Sequence, residues 1–107
     1  MQITVYHRNT DNSFDRVAVV EAPMSNEMEA LEYAYRWTNN VEGSWSKKIG
    51  GDANDNVTVV GHLPVHEGKT FGLRSSMIGD RFYVKGGEAY TVAVFGFKVL
   101  PTYEDVE

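Results

Sequence analysis

Two short alternating runs on either side of a glycine pair, Arg81-Phe82-Tyr83-Val84 and Ala89 to Leu100 around Lys85-Gly86-Gly87-Glu88, constrain the fold more than any other feature of this chain. Alternation with a period of two sends successive side chains to opposite faces of a sheet, so each run reads as a half-buried strand. Gly86-Gly87 can adopt the positive φ angles of a primed hairpin turn, which predicts an antiparallel pair. In the second run Tyr90, Val92 and Val94 share one parity, while Phe97 and Val99 take the other. The slip at Gly96 predicts a bulge or bend within one long strand. Ahead of the pair, Gly79-Asp80 reads as a turn into the first strand.

Upstream, Gln2 to His7 and Phe14 to Glu21 also have strand character, and the polar cluster from Arg8 to Ser13 joins them as a hairpin. Pro23 and Ser25-Asn26 then mark a helix start, with Asn26 and Glu29 spaced as a capping box. Met28, Leu31, Ala34, Tyr35 and Thr38 follow helical spacing, and Ala30, Tyr33 and Trp37 widen that stripe. Glu27, Glu29, Glu32 and Arg36 fall on the wetter side, with Glu32 and Arg36 in the favourable order for a weak surface pair. The helix is expected to stop near Asn39-Asn40. Residues 41–56 then form a long irregular stretch rich in Gly, Asn, Asp and Ser, and Val57 to Val60 reads as a strand.

The fold class this predicts is α+β: one domain over residues 1–101, with an N-terminal β-hairpin, one amphipathic helix and a mainly antiparallel sheet of three or more further strands, in the order ββαβββ. Residues 102–107 form an acidic tail expected to be frayed. A length of 107 residues supports one core and no second lobe. Hydrophobic residues at 42% and charged residues at 23% are ordinary for a globular protein.

Composition removes several classes of function. With no cysteine, the chain has no disulfide, thiol nucleophile or cysteine-ligated metal. The start MQITVYHR lacks the build of a signal peptide, and no apolar run approaches the length of a membrane span. The expected location is therefore a cytoplasm. Fifteen acidic against ten basic residues give a net charge of −5, so nucleic acid is not expected as a direct ligand.

Local motifs for chemistry are weak. The run Asp52 to Asn56 starts like a calcium loop, but Val57 stands where the sharp-turn glycine belongs and Leu63 where the bidentate glutamate belongs. An Asx-rich turn is the better reading. His62 and His66 are separated by Pro64, which opposes the helix that would align their rings. The serines at 44, 46, 75 and 76 lack a nucleophile-elbow setting. Gly86-Gly87 joins two strands instead of opening a helix, so it is no phosphate loop. Neither an enzyme activity nor a cofactor or metal is expected.

Aromatic residues are the remaining enrichment, and core packing accounts for most of them. Trp45 is the exception, because its polar loop offers few apolar neighbours in sequence. It is read as available to a partner or, equally, as a loop anchor folded back on the helix.

Three blocks carry a family resemblance: Tyr35 to Trp45 (YRWTNNVEGSW), Leu73 to Asp80 (LRSSMIGD) and Tyr90 to Phe97 (YTVAVFGF). Together they resemble small accessory proteins of bacteriophages. The latter two blocks also resemble the YodL-like domain of phage and mobile-element proteins, over about the last third of the chain, although Met77 stands where that pattern commonly has serine. The resemblance implies a mobile-element origin and a role in host takeover or counter-defence within the host cytoplasm. It transfers no catalytic residue.

The sequence thus predicts a non-enzymatic protein that binds a host protein through Trp45 and its loop, supported by Glu27, Glu29, Glu32 and Trp37. The competing expectation is a small-ligand or nucleic-acid binding module whose C-terminal sheet presents Arg74, Arg81, Lys85 and Tyr83.

Overall fold

A computed structural model describes residues 1–101; the acidic tail expected at 102–107 lies outside the described residues. Strands β1 (Gln2–Arg8) and β2 (Phe14–Glu21) form the expected hairpin, followed by helix α1 (Glu27–Trp37). Then come β3 (Val57–Val59), the short strands β4 (Val65–His66) and β5 (Lys69–Thr70), and finally β6 (Arg81–Val84), β7 (Ala89–Val92) and β8 (Phe97–Val99). Six strands make one antiparallel sheet in the order β3-β2-β1-β6-β7-β8, while β4 and β5 pair separately. The architecture is the expected α+β domain with a mainly antiparallel sheet.

Alternation dictates which face is core. Ile3, Val5 and His7 of β1, Phe82 and Val84 of β6, and Tyr90 and Val92 of β7 are buried on one face, against Ala30, Leu31 and Ala34 of α1. At about 25 cal/mol per Å² of apolar surface removed from water, this layer is the dominant favourable contribution to folding. A register shift between Val5 and Tyr6 places Val17 as an extra residue in β2. Its carbonyl turns outward to accept the Val60 and Gly61 amides at 2.9 and 3.2 Å, extending the β3 edge.

The helix begins as its sequence dictates: Asn26 Oδ1 accepts the Glu29 amide at 2.9 Å. Its end comes slightly before the expected asparagines, with Thr38 as the cap residue. Met28, placed on the apolar stripe by spacing, is instead 43% exposed. Arg36 does not pair with Glu32; it reaches Asp52 at 3.2 Å, because a buried carboxylate outbids a solvated one for the guanidinium.

Two turn assignments are corrected. Gly87 donates to the Val84 carbonyl at 2.9 Å, so the β6–β7 turn is centred on Lys85-Gly86, and Gly86 has a positive φ of 77°. Positive φ at the second central position alone is the type II arrangement, not the primed one. The slip at Gly96 is not a bend within one strand either. Ala93 and Gly96 close a second hairpin turn through a 2.9 Å bond, with Gly96 at φ 75°, and β8 folds back on β7 with Val92 opposite Phe97.

Candidate functional site

Two buried aspartates organise the loops at the C-terminal end of α1. Asp52 lies in a 3₁₀ turn, Gly50–Asp52, and its Oδ2 accepts the amides of Val41, Glu42 and Gly43 at 2.9, 2.9 and 2.7 Å. Burial pushes this carboxyl up, but the three amides and Arg36 outweigh it and hold the group below the ordinary carboxylate value. The calcium-like run is therefore turned inward on its own backbone. Asn54 and Asn56 complete the turn by donating to the Tyr33 hydroxyl at 2.9 and 3.0 Å.

Asp80 is the second hub. It accepts the Arg8 and Met77 amides and two guanidinium N–H groups of Arg74, all at 2.8 Å. Beside it, His7 Nε2 lies 3.0 Å from Ser76 Oγ, and Ser76 Oγ lies 2.7 Å from Thr38 Oγ1. Proton directions follow by elimination. Thr38 donates to the Ala34 carbonyl at 2.7 Å, so it accepts from Ser76, and Ser76 must in turn accept from His7 Nε2–H. Burial, ahead of the opposing pull of Asp80, pushes the His7 pKa down to about 4, so the ring is neutral near pH 7.

The histidine, serine and aspartate are those of a hydrolase triad, but the geometry is not. In a triad the acid holds one ring nitrogen while the other accepts the nucleophile's proton. Here Asp80 lies 3.8 Å from the same Nε2 that donates to Ser76, and Ser76 is only 2% exposed. The cluster ties β1, α1 and the 73–80 segment together.

Trp45 belongs to this buried region. It is 1% exposed, its Nε1 donates to the Arg74 carbonyl at 2.9 Å, and its ring meets His7 edge-on at 6.1 Å. Of the two readings of Trp45, the exposed partner-binding residue is overturned and the buried loop anchor holds. Asn40 Oδ1 takes the Trp45 amide at 2.9 Å, Ser46 Oγ takes the Leu73 amide at 2.7 Å, and Trp45 joins the core cluster of residues from the strands and α1.

The other residues singled out by sequence are dispersed. Glu27 accepts the Tyr90 hydroxyl, which pushes that phenol up to about 12. It starts α1, about 15 Å along the axis from the end where Trp45 packs. Glu29 and Glu32 are exposed, and Trp37 is half-buried beneath the Arg36 guanidinium at 4.1 Å. These residues do not form one surface with Trp45. Of the second set, Arg74 is committed to Asp80, whereas Arg81 and Tyr83 alternate onto the sheet face opposite the helix. Lys85 is exposed in the β6–β7 turn.

The structure exposes a different apolar group. Val94 and Phe95 occupy the two tip positions of the β7–β8 turn and are 71% and 94% exposed. Between this hairpin and α1 lies a cleft of about 250 Å³, lined by Glu32, Tyr35, Val92, Phe97 and residues of the turn. Its floor is an aromatic cluster in which Phe97 meets Phe82 at 5.5 Å and Tyr35 at 6.3 Å. A rigid apolar floor flanked by a projecting phenyl ring and one carboxylate can take up an apolar side chain. The sequence signal for this site was the slip at Gly96 itself, because a glycine following two large apolar residues also marks a hairpin tip.

Among the described residues no helix is long and apolar enough to cross a membrane, and no three His, Asp or Glu side chains group as a metal site. No family model matches the chain, and neither a curated protein nor a solved structure is detectably similar to it.

Proposed function

We propose that this protein is a non-enzymatic binding module that docks a partner protein through the Val94-Phe95 tip and the adjoining cleft. The observation that carries the reading is the 94% exposure of Phe95 on a short, closed hairpin. A phenylalanine held in water by a rigid turn gains nothing for the fold, while a partner that covers it gains the full transfer free energy of the ring, about 2 kcal/mol. The resemblance of the three blocks to small phage accessory proteins supports a reading in which the partner is a bacterial host protein, with host takeover or counter-defence as the biological setting and the host cytoplasm as the location. Glu32 at the cleft wall favours a partner that brings a basic residue beside its apolar anchor.

Phe95→Asp tests the reading. The variant is expected to lose capture of the partner from host lysate while melting within about 2 °C of the parent, since the ring contributes little to stability. Capture that survives the substitution would remove the hairpin tip as the docking site.

A further inference from the structure

The face of the six-stranded sheet opposite α1 carries a second, chemically different surface. Directly opposed residues of antiparallel strands share a face, so the register Arg8↔Phe14, Tyr6↔Arg16, Tyr6↔Arg81, Thr4↔Tyr83 and Thr91↔Lys98 places all of these on it. None of them is buried, whereas the helix-side face is closed by core.

Charge is segregated onto this face. Within the six strands the Lys and Arg residues are Arg8, Arg16, Arg81 and Lys98, and all four have its parity; of the two strand acids only Glu21 shares it, since Asp15, opposite His7, has the helix-side parity. The strands thus give this face a local charge of +3 in a chain whose net charge is −5. At physiological salt, charges more than about 8 Å away are largely screened, so this face is electropositive to a ligand despite the acidic chain.

Aromatic rings sit among those cations. Tyr6 and Tyr83, on the two central strands β1 and β6, meet at 5.1 Å between centroids, and the Arg81 guanidinium spans β1 to lie 4.4 Å over the Phe14 ring of β2. Three neighbouring strands thus carry a preformed row of rings and guanidinium groups. Cations spaced across an open sheet face match a phosphate backbone, and aromatic faces between them match unstacked bases. An acidic peptide would satisfy the cations alone.

We infer that this face binds single-stranded nucleic acid, with bases stacking on Tyr6, Tyr83 and Phe14 and phosphates meeting Arg8, Arg16 and Lys98. The site is separate from the hairpin tip and does not depend on it.

Fluorescence anisotropy of the full chain with a labelled oligothymidylate, titrated at 25–200 mM salt, tests the inference. Binding is expected to weaken with a log–log salt slope of about −2 to −3, reflecting three to four displaced counterions. Tyr6→Ala is expected to weaken binding about tenfold with the slope unchanged, and Arg16→Glu to weaken it and flatten the slope. Arg16 is exposed at a strand surface, so its variant stays folded, and a melting curve checks the tyrosine variant. No binding at 25 mM salt would overturn the inference. So would binding indifferent to Tyr6→Ala, or equal binding of polyphosphate, either of which reduces the face to a plain anion exchanger.

Discussion

The 41–56 loop and the 93–97 hairpin invert each other. The loop is irregular, polar and glycine-punctuated, yet it holds a tryptophan at 1% exposure; the hairpin turn joins two regular strands, yet it holds a phenylalanine at 94%. The difference lies in where backbone hydrogen bonds go. In the loop, the buried Asp52 carboxylate gathers three consecutive amides, so the chain can enter the interior without leaving polar groups unpaired. In the hairpin, the ladder and the Ala93–Gly96 bond close the turn through the hairpin's own backbone, which leaves the tip side chains outside. Irregularity in sequence therefore does not equate to a free surface, nor regularity to a scaffold.

The sharpest way to break this contrast is to remove the loop's anchor. Trp45→Ala is expected to cost about 3–5 kcal/mol in urea unfolding, through the cavity it leaves and the orphaned Arg74 carbonyl. A loss below 1 kcal/mol would mean that the loop does not pack as described.

Acid comes next in size. His7 has a folded pKa of about 4 against an ordinary value of 6.5, so the unfolded chain takes up the proton first. The stability is present in full above pH 6.5 and is lost as pH falls from there towards 4, by roughly 3 kcal/mol in all. His7→Gln is expected to flatten that part of the stability profile. An equally steep fall in the variant would assign the acid sensitivity to other groups.

Phe95→Ser should change stability least, by no more than about 0.5 kcal/mol, because nothing in the fold covers the ring. A loss comparable to that of Trp45→Ala would erase the distinction between the two regions.

Much of the fold was legible in the sequence because its signals are local. Period-two alternation marked β1, β2, β6 and β7, and Asn26 with the Leu31/Ala34 spacing marked α1. What could not be read depends on contacts between residues far apart in the chain. The Trp45 indole is bonded to Arg74, 29 positions away, and Asp80 reaches Arg8 across 72. Neither pairing leaves a trace in composition or periodicity. The electropositive sheet face was hidden for another reason: net charge sums over the whole chain, whereas a ligand meets one face. Arg81 and Tyr83 were picked out from sequence, but Tyr6, Phe14 and Arg16 join them only through the strand order β2-β1-β6.

Amide hydrogen exchange of the native protein tests the central contrast most directly. The Val41, Glu42 and Gly43 amides, held by buried Asp52, are expected to exchange orders of magnitude more slowly than those of Val94 and Phe95 at the hairpin tip. Fast exchange at 41–43, matching the tip, would contradict the account of a rigid carboxylate-centred loop.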